Sequence, residues 1–377
     1  MRVLHLITGL NDGGAEAVLY RLCHHDQANQ HHVVSLSGSG KYGPVLEAPG
    51  VLVATLNMSP GRPSPLAFIR LVRLMRREKP DVVQTWMYHG DLFGGLAARA
   101  AGIPSVVWGI RHTTLEPGKS KKTTIWIAKL LAKLSWWLPS KIVVCAQQAM
   151  DVHEALGYDR SKMHFIPNGY DLADFQPGLD LKGEMKASLV PDKAIPLIGT
   201  VGRFNPQKDY ANLLDALVIL RDRGVAFRCV LVGTGLDPSN TELMEWIAQR
   251  GLADHVLLLG RRNDIPHIMN ALDLHVLPSA FGEAFPNVVA EAMACGTPCV
   301  VTDVGDAAYI VGDTGWVVPP RDASALAEAI ADAFDSMSDP GKASERSLRA
   351  RHRIEEKFSI ERMVDAYSTL WDRVIKS

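Results

Sequence analysis

The sequence predicts an α/β fold with two doubly wound parallel sheets, and three observations lead to this prediction. The chain has 377 residues, enough for two domains that each bury a core. Hydrophobic residues make up 47% and charged residues 21%, a composition typical of globular proteins. Short apolar runs alternate with helical patterns on both sides of a middle point, which indicates two consecutive sheets with helical connections.

The predicted strands form two series. The first series comprises Val3–Ile7, His32–Leu36, Val51–Leu56, Val82–Thr85, Ser105–Trp108 and Ile142–Cys145. The second comprises Leu197–Val201, Phe227–Val232, Val256–Leu259, Leu274–Leu277 and Pro298–Thr302. Helical periodicity lies between them at Glu16–His25, Leu66–Glu78, Leu213–Arg223 and Asn287–Ala294. Each series therefore predicts one Rossmann-like domain.

The joint between the domains is predicted at Asp171–Pro196, where three prolines and two glycines interrupt any clear period. We accordingly predict a first domain at 1–175, a second at 190–358 and a terminal segment at 359–377. Its last helical pattern, Ile360–Ile375, follows the second sheet and is expected to pack back on the first domain.

Charge and cysteine content narrow the function classes. The formal net charge is −1, with basic residues in excess in the first half and acidic residues in the second. This balance excludes a typical nucleic-acid binder but fits an anionic partner. The five scattered cysteines predict reduced thiols, and the first residues predict a strand rather than a signal peptide. We therefore expect a cytoplasmic protein.

The motif with the clearest chemistry is LPSAFGEAFPNVVAEAMACGTPCVV, residues 277–301. A strand ends near Pro278, and a helix is predicted to open with Pro286 at its first position, so its free N–H groups form an anion site. Glu283 and Glu291 lie eight positions apart, and carboxylates are suited to binding sugar and ribose hydroxyls. Alternatively, both glutamates serve only as a helix-start charge and a solvated face.

This Glu-x7-Glu spacing in its Pro-Asn and Cys-Gly-Thr-Pro context resembles the signature of retaining glycosyltransferases of family 4, which have the GT-B fold. The resemblance implies two Rossmann-like domains facing across a cleft. It also implies that Glu283 contacts the donor sugar, Glu291 the ribose, and the N–H groups of Phe285 and Asn287 the transferred sugar. The family often has glycine after the first glutamate, where this chain has Ala284.

Two further motifs follow predicted strands. In GTVGRFNPQKDY, residues 199–210, Arg203 and Lys208 are placed to neutralise a departing diphosphate without a metal, and the segment resembles the family's Gly-Arg…Lys pattern. An exposed basic loop is the alternative. In TGLNDGGAE, Gly13 and Gly14 permit close backbone approach to a phosphate, although a plain turn explains them equally. The resemblance implies that this loop closes over the diphosphate.

A fourth motif, GIRHTT at residues 109–114, follows the strand at Ser105–Trp108. The resemblance implies that His112 contacts a sugar hydroxyl and aligns the acceptor, whereas a lone histidine is often structural. His89 is a weaker candidate. Asn168 and Gly169 resemble a family linker motif that shapes the domain junction.

We therefore predict a retaining, metal-independent, hexosyltransferase-type enzyme of polysaccharide or glycolipid biosynthesis. Its substrates would be a nucleotide diphosphate sugar, with a UDP-sugar favoured, and a glycan or lipid-linked acceptor, and it would need no cofactor. The sequence lacks Asp-x-Asp, and VGTGLD at residues 232–237 lacks the third glycine of a dinucleotide fingerprint. A GT-B-fold epimerase and a non-catalytic nucleotide-sugar-binding module remain alternatives.

Two basic segments suggest peripheral contact with an anionic membrane. The helical pattern LAFIRLVRLMRREK, residues 66–79, places five basic residues beside an apolar stripe. Residues 117–150 contain no acid and carry three tryptophans among lysines. These lysines are Lys119, Lys121, Lys122, Lys129, Lys133 and Lys141, with Trp126, Trp136 and Trp137. Such helices can lie in a lipid interface, although a core-facing helix with a basic outer side is the alternative.

Overall fold

The computed structural model describes residues 1–59, 64–113, 115, 120–190, 192 and 194–376, with the side chains of 179–182 also left aside. The chain folds as two units, each with its own sheet. The N-terminal unit comprises Met1–Gly169 and Ile360–Ser377, and the C-terminal unit comprises Tyr170–Ser359. Thr114, Glu116 and Lys119, which belong to segments singled out in the sequence, lie outside the described residues.

The N-terminal unit is built on a seven-stranded, all-parallel sheet in the order β3-β2-β1-β4-β5-β6-β7. Its strands are β1 (Arg2–Ile7), β2 (Gln30–Ser35), β3 (Leu52–Thr55), β4 (Val82–Trp86), β5 (Val106–Ile110), β6 (Lys141–Val144) and β7 (Met163–Phe165). The central strands β4 and β5 are buried along their whole length, as expected for a parallel sheet covered on both faces.

Helices connect these strands as crossover units. They are α1 (Gly14–His25), α2 (Tyr42–Glu47), α3 (Pro65–Glu78), α4 (Met87–Ala101), α5 (Lys122–Leu134) and α6 (Gln147–Ala155). Helices α3, α4 and α5 pack in a row, α4 touching both neighbours, and α1 packs on α2. Gly94 lets α4 approach the sheet, because a Cβ there would meet the Leu6 and Thr85 side chains at 2.5 and 2.7 Å.

The C-terminal unit contains a six-stranded parallel sheet in the order β10-β9-β8-β11-β12-β13. Its strands are β8 (Leu197–Val201), β9 (Arg228–Val232), β10 (Val256–Gly260), β11 (Leu274–Leu277), β12 (Cys299–Thr302) and β13 (Trp316–Val318). Its helices are α7 (Leu179–Leu189), α8 (Tyr210–Asp222), α9 (Thr241–Gln249), α10 (Ile265–Ala271), α11 (Asn287–Ala294), α12 (Ala307–Val311), α13 (Ala323–Met337) and α14 (Pro340–Phe358).

The structure differs from the sequence prediction in three elements. Strands β7 and β13 were not predicted, because each has only three residues at an edge of its sheet. Helix α7 lies inside the stretch predicted as a joint and packs on α10. Its apolar residues have almost no helical periodicity, so the pattern on which the helix prediction depends is absent.

The last helix, α15 (Ile360–Lys376), packs on the N-terminal unit through a buried aromatic cluster. Trp371 is fully buried, donates its indole N–H to Gln84 Oε1 at 3.1 Å, and lies against Tyr367 and His5. The interior residue His5 accepts a hydrogen bond from Trp86 Nε1 at 3.2 Å and shares another with His31, whose Nε2 lies 3.2 Å from Asp26. Helix α15 therefore belongs to the N-terminal unit's core.

All five cysteines are buried and free in the structure. Burial also raises the thiol pKa of Cys299 above its usual value. Among the described residues, no helix is long and apolar enough to cross a membrane.

Replacing Trp371 with alanine tests the packing of α15. The expected loss is roughly 3–5 kcal/mol of unfolding free energy, since a large aromatic side chain leaves a cavity and the Gln84 amide loses its partner. Ile375→Ala on the same helix is the control, because Ile375 is 42% exposed. Urea unfolding of both variants measures the difference, and equal midpoints would contradict the assigned packing.

Candidate active site

In the C-terminal unit, a loop follows β8 and presents Arg203 and Lys208. Asn205 accepts a hydrogen bond from the Lys208 backbone N–H at 3.2 Å, and Asp209, with a left-handed φ of 46°, caps α8. These two caps fix the backbone on either side of Lys208. The Lys208 side chain is mostly buried, whereas Arg203 is exposed and has no ion-pair partner among the described residues.

Lys208 and Glu283 form a buried ion pair. Lys208 Nζ lies 2.7 Å from Glu283 Oε1, although 75 residues separate them in sequence. Ser279 donates its hydroxyl to the same oxygen at 2.7 Å, and Gln207 supplies a further side-chain hydrogen bond. Burial alone would raise the pKa of Glu283, but the Lys208 charge and these donors hold it below its ordinary value. Glu283 is therefore a carboxylate.

The loop that carries Glu283 is fixed by close backbone contacts. Gly282 has a positive φ of 81°, whereas Ala284 is not among the residues with positive φ, so its methyl group fits this turn. A Cβ at Gly305, where φ is 63°, would lie 2.3 Å from the Glu283 carbonyl oxygen. Asp306 N–H donates to the Ala284 carbonyl at 2.9 Å. Gly305 and Asp306, which precede α12, therefore pack against the backbone of the Glu283 loop and hold it in place.

Helix α11 spans Asn287–Ala294, the bounds of the predicted helical pattern. Pro286 is the N-cap, with an extended ψ of 99°, rather than the first helical residue. The backbone is extended at Pro286 and helical from Asn287 onward. The backbone N–H groups without an intrahelical acceptor therefore begin at Asn287. Tyr170 donates its hydroxyl to Asn287 Oδ1 at 2.7 Å, and Phe285 is buried against Phe358.

Glu291 lies one turn after Asn287 on α11 and is half-buried. Positions four apart in a helix share a face, so Glu291 and Asn287 face the same side of α11. The loop from β8, the Glu283 loop and the start of α11 all follow the carboxyl ends of strands, where α/β sheets bind ligands.

Three contributors near the ion pair were not predicted from sequence. Ser279 and Gln207 form hydrogen bonds with the Glu283 side chain. The third, His275 on β11, is fully buried. Burial, and then the nearby Lys208 charge, lower the pKa of His275 to about 3, so its ring is neutral. Ser279 lies two residues after the end of β11, and this position near a strand end was the available signal. No signal in the sequence indicated Gln207 or His275.

In the N-terminal unit, the Gly13–Gly14 turn opens α1 with Gly13 as N-cap. The Glu16 carboxylate folds back over this turn, with one oxygen 2.3 Å from where a Gly13 Cβ would stand. A side chain at position 13 would require the Glu16 carboxylate to shift. The predicted phosphate approach at this turn stays a prediction, because the Glu16 carboxylate of the same helix occupies that space in this structure.

His112 follows β5 and lies in a cavity of about 360 Å³ within the N-terminal unit. His112 Nε2 is 3.0 Å from Ser120 Oγ, and His89 lines the same cavity. The neighbouring Arg111 stacks on Trp86, with its guanidinium carbon 4.6 Å from the ring centroid.

Arg111 is held at both ends of its guanidinium group. It donates hydrogen bonds to the side chains of Asn168 and Tyr367. Asn168, which resembles a family linker motif, therefore contacts Arg111. Arg111 was not predicted as a site residue, although it directly precedes His112 in sequence.

Asp91 on α4 ties the ends of two central strands together. Its Oδ1 accepts hydrogen bonds from Thr85 Oγ1 at 2.6 Å and from Gly109 N–H at 3.2 Å. Complete burial raises the pKa of Asp91 to about 8, with the Thr85 and Gly109 hydrogen bonds opposing the shift. Asp91 is therefore largely protonated at neutral pH.

The comparisons with known proteins agree with this architecture. The chain matches the family model described as Glycosyltransferase Family 4 at residues 12–174 and the one described as Glycosyl transferases group 1 at residues 195–336. It is 31% identical over 324 residues to EpsF of Bacillus subtilis (strain 168), which is named as a glycosyltransferase, covering 80% of this chain and 79% of that protein.

A second relative is the UDP-Gal:alpha-D-GlcNAc-diphosphoundecaprenol alpha-1,3-galactosyltransferase of Escherichia coli. It is 29% identical over 317 residues, covering 81% of this chain and 78% of that protein. The crystal structure of Anabaena HepE with UDP and glucose has a TM-score of 0.84 at 22% identity, covering 98% of this chain and 99% of that one.

The two parallel-sheet units and these matches define a GT-B-fold glycosyltransferase, which confirms the predicted fold class. The chain belongs to glycosyltransferase family 4, the glycosyl transferases of group 1. The epimerase alternative gains no support from these relatives, which are named as transferases.

Replacing Asp91 with asparagine tests its protonation. The folded pKa lies above the unfolded value, so the native state keeps a proton that the unfolded chain releases. The stability from Asp91 is therefore present below about pH 4 and lost as pH rises to about 8. Relative to Asp91→Asn, the wild type should lose up to about 1.4 kcal/mol per pH unit across this range.

Urea unfolding at several pH values measures this difference. Asp151→Asn is the matched control, because Asp151 is exposed and should leave the pH profile unchanged. Parallel profiles for wild type and Asp91→Asn would show that Asp91 is ionised in the folded protein.

Proposed function

We propose that this glycosyltransferase transfers a hexose from a nucleotide diphosphate sugar to an acceptor hydroxyl with retention of configuration and without a metal ion. The observation that carries the proposal is the buried Lys208–Glu283 pair at the carboxyl end of the second sheet. A UDP-sugar is the favoured donor, since HepE has been crystallised with UDP and UDP-glucose and the Escherichia coli relative is named for UDP-Gal.

The donor-binding residues are proposed from geometry and family resemblance together. Arg203 and Lys208 bind the diphosphate, because both follow β8 and carry positive charge. Lys208 uses one donor on Glu283 and keeps others for a ligand. Glu283 binds hydroxyls of the donor sugar, and Glu291 binds the ribose.

The remaining proposed contacts are backbone amides and one imidazole. The N–H groups of Phe285 and Asn287 bind the transferred sugar, with Pro286 fixing the entry to α11. Gly13 and Gly14 supply amides for the diphosphate once the Glu16 carboxylate has moved aside. His112 contacts a sugar hydroxyl.

The mechanism follows from where charge develops. Positive charge forms at the anomeric carbon while negative charge forms on the leaving diphosphate, and fixed cations at the diphosphate lower that barrier. The acceptor oxygen attacks from the face that the diphosphate leaves, and a leaving-group phosphate oxygen takes its proton. The C–O bond to the diphosphate breaks as the new glycosidic bond forms, so no cofactor is needed.

The pathway and location are proposed from the same sources. The Escherichia coli relative is named for a diphosphoundecaprenol acceptor, which supports a glycan or lipid-linked acceptor here and a role in polysaccharide or glycolipid biosynthesis. The enzyme would act in the cytoplasm, peripherally at the inner face of the membrane. A non-catalytic sugar-nucleotide-binding module is the remaining alternative and would show donor binding without turnover.

Lys208→Ala should lower turnover by roughly two to three powers of ten, the scale of one lost charge stabiliser. It should also lower stability by about 3–5 kcal/mol, because Glu283 stays buried without its partner. The double variant Lys208→Ala/Glu283→Gln should recover much of that stability but none of the activity. Turnover of a UDP-sugar and urea unfolding of the three proteins measure both effects.

Two results of this experiment would contradict the proposal. If the turnover of Lys208→Ala stays within a few-fold of that of the wild type, Lys208 does not stabilise the leaving group. If the double variant recovers activity together with stability, the Lys208–Glu283 pair has a purely structural role. Running the wild type with excess EDTA tests metal independence, and a lost rate that Mg²⁺ or Mn²⁺ restores would refute it.

The proposed membrane surface consists of exposed residues on α3 and around α5. Leu66, Ile69, Trp126, Trp136 and Trp137 are 44–68% exposed. The same segments carry exposed basic residues: Arg70, Arg73, Arg76, Arg77, Lys79, Lys121, Lys122, Lys129 and Lys133, with Lys141 half-buried. Exposed tryptophans beside lysines suit the interface of an anionic bilayer, and α3 and α5 both pack on α4.

The enzyme should co-sediment with phosphatidylglycerol-containing liposomes at low salt, and added salt should weaken this binding. Trp136→Ala/Trp137→Ala should reduce it severalfold, because two interfacial anchors are lost. Met244→Ala is the control, as Met244 is an exposed apolar residue of the C-terminal unit. No co-sedimentation at low salt, or equal loss in the control, would end the membrane hypothesis.

A further inference from the structure

The first and the last residues of the C-terminal unit are joined to each other. The chain leaves the N-terminal unit after Gly169 and returns to it after Ser359. The Tyr170 N–H donates to the Phe358 carbonyl at 2.9 Å, and Tyr170 and Ser359 form an isolated parallel bridge. We call Tyr170, Phe358 and Ser359 the crossover pair, because they hold together the two points at which the chain passes between the units.

The crossover pair places two buried side chains on the stretch 285–287, where backbone N–H groups are proposed to bind the transferred sugar. The Tyr170 hydroxyl donates to Asn287 Oδ1 at 2.7 Å, although 117 residues separate them in sequence. The Phe358 ring lies edge-on to that of Phe285, with 5.5 Å between the ring centroids. One polar contact and one aromatic contact therefore connect the crossover pair to the start of α11.

The hydroxyl group of Tyr170 is not needed to fill the core. Tyr170 is fully buried, and phenylalanine would supply the same ring. Burying a hydroxyl costs free energy unless it forms a hydrogen bond, and here the bond is made to Asn287. Asn287 is the first residue of α11, so the bond holds the helix at the position where its free N–H groups begin.

We propose that Tyr170 is a positioning residue for the donor sugar. Its hydroxyl holds Asn287 so that the N–H groups of the stretch 285–287 meet the sugar, and Tyr170 acts through Asn287 rather than by touching the donor. Coupling between two sites is reciprocal, so sugar binding in turn stabilises the crossover pair. This inference rests on the proposed donor site and deepens it by linking that site to the crossover pair.

Titration calorimetry of Tyr170→Phe tests the inference. UDP-glucose and UDP-galactose are the sugar-bearing probes, and UDP is the probe without a sugar. The variant should weaken whichever sugar nucleotide binds better by about three- to tenfold, the scale of one lost hydrogen bond. Binding of UDP should change by less than about twofold, because the proposed UDP contacts are Arg203, Lys208 and Glu291. A general loss of folding would weaken all probes equally and would overturn the inference.

Two further substitutions sharpen this test. Tyr158→Phe is the matched control, because Tyr158 is also buried but its hydroxyl has no hydrogen-bond partner in the part of the chain that the structure describes. Asn287→Leu removes the acceptor, so adding Tyr170→Phe to it should cause no further loss of sugar-nucleotide binding. If Tyr170→Phe weakens this binding equally with and without Asn287→Leu, the hydroxyl does not act through Asn287 and the inference is wrong.

Hydrogen exchange measures the reciprocal effect. The sugar nucleotide should slow exchange of the Tyr170 backbone amide severalfold in the wild type, because this amide bonds to Phe358 within the crossover pair. UDP alone should slow it less, and Tyr170→Phe should lose most of the difference between the two ligands. Equal protection by both ligands in the wild type would show that the sugar is not coupled to the crossover pair.

These measurements use no acceptor, so their outcome can be separated from that of the proposed function. If Tyr170→Phe selectively weakens sugar-nucleotide binding but the wild type transfers no sugar, the transferase proposal fails and the inference on Tyr170 stands. If the wild type transfers sugar and Tyr170→Phe binds every probe as the wild type does, the inference fails and the transferase proposal stands. If neither sugar nucleotide binds to the wild type, both fail.

Discussion

The buried ion pair of Lys208 and Glu283 is the interaction on which the C-terminal unit's candidate site depends. Taking two charges out of water costs several kcal/mol per ion, so such a pair is weak evidence for stability by itself. Here the cost is offset by donors from Ser279 and Gln207 and by the caps around Lys208. The arrangement fixes an ammonium group and a carboxylate at a strand end, where ligand geometry matters more than stability.

The architecture could be predicted because parallel strands buried on both faces appear as continuous apolar runs. Leu197–Val201 and Leu274–Leu277 were predicted at their observed bounds for this reason. The same signal fails at the edges, where β7 and β13 are three residues long and partly exposed. It fails again at α7, because a helix whose apolar residues follow no period resembles a linker in sequence.

The candidate site was predicted as separate motifs but not as a network. Residue types at strand ends indicated Lys208 and Glu283 independently, since each follows a buried apolar run. That they touch could not be derived, because 75 residues separate them and no local spacing encodes the contact. This contact changes the charge balance of the site: Glu283 compensates the charge of Lys208, whereas Arg203 is exposed and has no ion-pair partner among the described residues.

In the N-terminal unit, one helix serves two surfaces. Its N-cap Lys121 and Thr124 in its first turn line the cavity beside His112, while its outer side exposes Trp126 and Lys129. A charge change at the start of α5 and one on its outer side would therefore act on different surfaces, the first on the cavity beside His112 and the second on the proposed membrane surface.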